Sequence, residues 1–166
     1  MNMLKRKKCT KIVHIDGIAA SIASVIAMAG DKIIMPSNSM MMIHNAWTYA
    51  AGNSNELRKL ADDLDKVNLS IRQTYLDKAG DKLDEETLIT LMDNETWLTA
   101  QECYNYGLCD VVGKDKNIAA KFDLNLLNKY KNIPVNYVLN QAEAKNNKEK
   151  ELEKESILKD LDSFAI

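Results

Sequence analysis

Ser21 ends the stretch Gly17-Ile18-Ala19-Ala20-Ser21, where a short strand-like segment gives way, through Asp16-Gly17, to an apolar helix-like run. A serine in that place can serve as a nucleophile for two reasons. Free backbone N–H groups at a helix start, aided by the helix dipole, can hold a developing oxyanion. Flanking glycine and alanine leave room for a substrate acyl group. The commoner role of such a serine is a helix N-cap, so the pentapeptide needs a base before it means catalysis. His44 offers one. It ends the apolar run Met40-Met41-Met42-Ile43 and precedes the loop Asn45-Ala46-Trp47, a usual position for a general base. His14, two residues before the Asp16-Gly17 turn, reads as facing a partner strand or solvent. A carboxylate to orient the imidazole is available at Glu95 or Asp93, both in Met92-Asp93-Asn94-Glu95-Thr96-Trp97. Asp16 is a third carboxylate, although its position is that of a turn residue.

These side chains need a scaffold, and the residue pattern supplies its elements. The basic start Lys5-Arg6-Lys7-Lys8 reads as a solvated helix end leading into a strand over 10–15. The apolar residues 18–29 predict a buried helix, with Gly30 as its left-handed cap. Strands are expected over 32–35 and 39–44, on either side of the Pro36-Ser37-Asn38 turn. Leu57, Leu60, Ala61, Leu64, Val67, Ile71 and Leu76 recur at spacings of three and four, which predicts a long amphipathic helix over 54–78 ended by Gly80. Asp84 caps a helix running through Met92. Thr99-Ala100-Gln101-Glu102 is a capping box opening another, which Gly107 stops before a strand over 108–112. Residues 1–113 thus form the expected domain, 114–139 an irregular connection broken at Pro134, and 140–166 a charged, partly helical or disordered tail.

Composition narrows the function classes. The 166 residues carry 22 Lys+Arg against 24 Asp+Glu, and only 6% are aromatic, which speaks against a nucleic-acid binder. No apolar run approaches the ~20 residues of a membrane span, so no membrane partner is expected. Three cysteines without C-x-x-C spacing suit a reduced, cytoplasmic protein, and Cys103 and Cys109 read as small buried hydrophobes. There is no G-x-x-x-x-G-K-[ST] and no H-E-x-x-H, so neither a cofactor nor a metal is expected.

Three blocks in order carry a family resemblance: Ile15-Asp16-Gly17-Ile18-Ala19-Ala20-Ser21, Met35-Pro36-Ser37-Asn38-Ser39-Met40-Met41-Met42-Ile43-His44, and Glu95-Thr96-Trp97-Leu98-Thr99-Ala100-Gln101-Glu102, continuing to Tyr106-Gly107-Leu108-Cys109-Asp110. Residues 13–112 resemble the Clp protease proteolytic subunit (ClpP) family of serine peptidases, and within it the phage and prophage branch, the Clp-type prohead maturation proteases. The resemblance implies an α/β, ClpP/crotonase-like fold of ββα units, with the 54–78 helix as a projecting handle through which ring-like homo-oligomers assemble. It implies Ser21 as nucleophile, His44 as general base and the Ile22 backbone N–H as an oxyanion donor. Glu95 stands where the family's third residue falls, two before Trp97, with Asp93 as its substitute. Implied substrates are proteins or peptides, of capsid or scaffold type, cut without ATP. Members carry a Pro-Gly-Gly segment ahead of the nucleophile block that gives a second oxyanion contact, whereas the first glycine here is Gly17. An N-terminally truncated domain is therefore expected, completed by a separately encoded N-terminal fragment or acting as a catalytically defective structural subunit. One lost oxyanion donor costs ~10²–10³ in turnover.

Overall fold

The computed structural model describes residues 1–115, 130 and 132–134. Everything below lies within Met1–Asn132. The expected connection 114–139 and tail 140–166 fall outside the described residues, apart from the few just named.

Among the described residues, six short strands form two three-stranded sheets. The first sheet has the order β1 (Ile12–His14), β3 (Lys32–Pro36), β6 (Val111–Gly113), all parallel. The second has the order β2 (Ile18–Ala20), β4 (Met40–Ile43), β5 (Thr96–Thr99), with β2 parallel and β5 antiparallel to β4. Among β1 to β4, strands consecutive in the chain do not pair with each other. β1 and β2 sit in different sheets and are followed by α2 (Ile22–Ala27), then β3 and β4 repeat the pattern and are followed by α3 (Ser54–Ala79). The chain therefore repeats a ββα unit, the α/β architecture expected. α1 (Asn2–Lys5) precedes the first unit, while α4 (Glu85–Asp93) and α5 (Ala100–Asn105) flank β5.

β4 shows why the sheets hold. Met40, Met41, Met42 and Ile43 are all buried, as expected of a strand hydrogen-bonded on both edges and covered on both faces. Ile33 and Met35 of β3, Leu88 and Met92 of α4 and Leu98 of β5 are buried in the same core. Each such side chain contributes roughly 1.5–3 kcal/mol by leaving water. α3 opens with a capping box in which the Asn53 side chain accepts from the Glu56 amide and the Glu56 carboxylate accepts from the Asn53 amide. Leu57, Val67 and Leu69 are exposed along α3, whereas Asn68, Thr74, Tyr75 and Ala79 are buried, so its C-terminal half docks and its N-terminal half projects. No described helix is long and apolar enough to cross a membrane.

Three expectations need correction. Residues 18–20 form a strand rather than the first turn of a helix, because the parallel ladder to Met40–Met42 hydrogen-bonds their backbone. Small residues such as Ala19 and Ala20 fit either element, so tertiary pairing decides. α2 is accordingly short, and Ile22 and Ile26 are exposed rather than buried. Gly30 is not a left-handed cap. Its requirement is space, since a Cβ there would meet Val13 Cγ2 at 2.7 Å. The third departure is a strand at 96–99, where the sequence suggested only a loop and a cap.

Gly107 does take the left-handed conformation, with φ +73, and a Cβ on it would lie 2.7 Å from the Ala79 carbonyl oxygen at the end of α3. Gly107→Ala is expected to destabilise the chain by about 2 kcal/mol, through strain at positive φ and the clash. Urea unfolding should show a lower midpoint at unchanged slope.

Candidate active site

Strand register brings the reactive residues together. Ala20 of β2 pairs with Met42 of β4, and the Ser21 N–H continues that ladder to the Met42 carbonyl at 3.0 Å. Ser21 therefore sits just past the end of β2, and His44 just past the end of its parallel neighbour β4. On the other side Ile43 pairs with Thr96, the first residue of antiparallel β5, so Glu95 lies one residue before that strand at the same end of the sheet. The strand order β2-β4-β5 puts the histidine between serine and carboxylate.

The side chains complete the arrangement. His44 Nε2 is 2.7 Å from Ser21 Oγ, a hydrogen bond. His44 Nδ1 is 3.9 Å from Glu95 Oε2, in ion-pair range but beyond a hydrogen bond. A carboxylate on that side favours the Nδ1–H tautomer, leaving Nε2 to accept the serine proton. Ser21 adopts φ 58 and ψ −126, an uncommon backbone for a residue with a Cβ, on a sharp strand-to-helix turn that presents its hydroxyl. Glu95 also has positive φ, 48. Asp93 is turned elsewhere: its carboxylate accepts from the Asn45 side chain at 2.6 Å. His14 is exposed on β1, and Asp16 is exposed in the turn that follows.

Burial pushes the His44 imidazole below its ordinary titration range, and the Glu95 charge partly opposes this. The neutral, proton-accepting form thus persists to lower pH than in a free histidine. Glu95 Oε1 and Trp97 Nε1 are both buried with no hydrogen-bond partner among the described residues, so the carboxylate has acceptor capacity to spare. A cleft of about 490 Å³ opens beside His44 and Glu95, walled by Trp47, Tyr49, Asp93 and Asn132. A second depression, about 350 Å³ and lined by Lys5, Lys11, Asp31 and Lys78, includes none of these residues.

Several supporting residues were not singled out from the sequence. The Asn68 side chain of α3 accepts from the Ala46 N–H at 2.7 Å and so fixes the loop that follows His44. A polar residue within the apolar spacing Leu64, Ile71, Tyr75 was a usable signal for it. The Tyr130 ring stands edge-on to His44 at 5.8 Å and to Trp97 at 6.2 Å. No spacing rule connects a residue so distant in sequence to the site. Cys103 and Cys109 are buried as expected, and burial raises both thiols above their ordinary range.

Residues 1–116 match the Clp protease family. The chain belongs to that family. Its relatives include the ATP-dependent Clp protease proteolytic subunits of Ligilactobacillus salivarius, 38% identical over 103 residues, and of Pleurastrum terricola, 31% identical over 102 residues. Each alignment covers 60% of this chain and 51% of the relative. The corresponding subunit of Bacteroides fragilis is 32% identical over 99 residues, 58% of this chain and 46% of its own. The chain spans about half the length of the curated relatives it matches.

The contribution of Glu95 within this Clp-family site is measurable through pH. The acid limb of Ser21 reactivity toward a serine-directed phosphonylating probe is expected to inflect below about pH 6.5, the ordinary histidine value. Glu95→Gln removes the charge that raises the His44 pKa, so the inflection should move further down while the plateau rate falls roughly 10²-fold. Asp93→Asn should leave the inflection in place. An inflection that moved with Asp93 instead would reassign the carboxylate.

Proposed function

We propose that this chain is a Clp-type serine endopeptidase. The observation that carries the reading is the 2.7 Å hydrogen bond between His44 Nε2 and Ser21 Oγ, beside a carboxylate on the far side of the same ring. Ser21 Oγ attacks the scissile carbonyl carbon as His44 Nε2 takes its proton. The tetrahedral oxyanion accepts a hydrogen bond from the Ile22 N–H at the start of α2. The C–N bond breaks, and the imidazolium returns the proton to the departing amine. Water then attacks the acyl-enzyme as His44 takes its proton, the ester C–O bond breaks, and the imidazolium gives that proton to Ser21 Oγ as the second product leaves. Glu95 holds the imidazole with Nδ1–H outward and stabilises it when charged.

Protein substrates and assembly into homo-oligomeric rings follow from family membership, and the exposed Leu57, Val67 and Leu69 of projecting α3 are suitable for burial between subunits. The resemblance of the three motif blocks to the prohead maturation branch supports capsid or scaffold proteins as substrates, cut in the cytoplasm without ATP. The relatives are described as ATP-dependent subunits, and this sequence carries no nucleotide-binding motif of its own.

A second reading, a catalytically silent subunit or one completed by another polypeptide, draws on the outer edge of β1. That edge has no partner strand among the described residues, and Ile12 on it is 56% exposed.

Labelling of the purified chain by a fluorophosphonate separates the two readings. Ser21 attacks phosphorus, fluoride leaves, and His44 takes the serine proton. The expected result is stoichiometric labelling that Ser21→Ala abolishes and His44→Ala slows at least ~10³-fold. A folded chain that takes up no probe overturns the peptidase reading in favour of the second. Cleavage of a capsid-type protein at equal rates with and without ATP checks the proposed independence from nucleotide.

A further inference from the structure

The carbonyl of Ser21 is held by an unusual third donor. It accepts the Ser24 and Val25 amides, at 3.0 and 3.4 Å, as any helix-capping carbonyl would. It also lies 2.5 Å from the Ser24 hydroxyl, the shortest of the three. That hydroxyl is 2.6 Å from the Tyr75 hydroxyl on α3, and both residues are almost wholly buried. A serine hydroxyl has one proton to give. Since the Ser21 carbonyl can only accept, Ser24 donates to it, and Tyr75 must donate to Ser24. The chain of protons runs one way, from α3 to the turn that carries the nucleophile.

The peptide joining Ser21 to Ile22 is planar and trans, so its carbonyl and its N–H point in opposite directions. Clamping the carbonyl of Ser21 aims the N–H of Ile22. We propose that Tyr75 and Ser24 are positioning residues that set the direction of the Ile22 N–H, and with it the stabilisation of the oxyanion formed when Ser21 acylates. This inference rests on the peptidase reading above and adds to it the group that orients the oxyanion donor.

The positive φ of Ser21 makes such a clamp useful, because that turn has a lower-strain conformation to relax into if its carbonyl is released. Tyr75 is a steady donor: burial pushes its pKa up to about 12, so the phenol keeps its proton at working pH. The contact also ties the buried C-terminal half of α3, 51 residues along the chain, directly to the nucleophile turn.

The test uses Tyr75→Phe, Ser24→Ala and the double variant, each followed by fluorophosphonate labelling and thermal melting. Each single variant should lower the labelling rate at probe saturation about tenfold, the loss of one well-placed hydrogen bond, with the half-saturating probe concentration unchanged. The double variant removes both polar groups together, so it should melt near the unaltered chain and still label slowly, no worse than the slower single variant. A double variant that regains both melting temperature and labelling rate overturns the proposal, because the contact would then be packing alone. If the unaltered chain takes up no probe, the peptidase reading fails by itself. Hydrogen exchange of the Ser24 and Val25 amides then judges the clamp. Exchange about tenfold faster in the variants supports it, and unchanged exchange overturns it.

Discussion

Strand β4 is hydrogen-bonded along both edges, to β2 in parallel and to β5 in antiparallel, and its register decides where three side chains meet. With side chains alternating between faces, a slip of one residue on either side would turn Ser21 or Glu95 away from His44. The antiparallel partner matters as much as the parallel one. A parallel β5 would bring its end, not its beginning, to His44, and the carboxylate would have to come from the residue after the strand. The register of β4 with its two neighbours is thus the physical reason that serine, histidine and carboxylate share one end of the sheet.

Two residues at that end have positive φ, Ser21 at 58 and Glu95 at 48, and neither is a glycine. Each conformation costs on the order of 1–3 kcal/mol unless its surroundings hold it. At Ser21 the surroundings are the Met42 carbonyl, the capping amides of α2 and the Ser24 hydroxyl. At Glu95 the backbone N–H is bonded to the Met92 carbonyl as α4 ends, and the ladder to β4 begins one residue later. Rigid elements on both sides keep a strained residue between them, which is a general way for a fold to present a reactive side chain.

The sequence made the long helix, the Thr99–Glu102 capping box and the Ser21–His44 pair legible, because each has a local cause: apolar spacing, cap chemistry, or a polar residue at the end of an apolar strand, whereas the Asn53–Glu56 box went unread. Glu95 was preferred to Asp93 through the resemblance of its block; Glu95 Oε2 lies 3.9 Å from His44 Nδ1, while the Asp93 carboxylate accepts from the Asn45 side chain. What local pattern could not reveal were features decided by distant partners. Residues 18–20 became a strand because β4 was there to pair with them, and 96–99 became a strand for the same reason. Gly30 was legible as a special position, but the reason lay across the sheet at Val13. Tyr75 counted as one more apolar position on a helix face until its hydroxyl met Ser24.

Three consecutive methionines, Met40 to Met42, make up most of the strand on which the site depends. Thioether side chains are unbranched and polarisable, and they fill irregular gaps without one demanded shape. Register in β4 is therefore enforced by backbone pairing and burial rather than by jigsaw packing of branched side chains. Neighbours in the core can drift in size across related sequences while the strand ends, and the chemistry attached to them, stay in place. The same softness brings an exposure to oxidants: a sulfoxide at Met41 or Met42 would put a polar group where none can be solvated, so reactive oxygen species would disable the site through its scaffold, without touching serine or histidine.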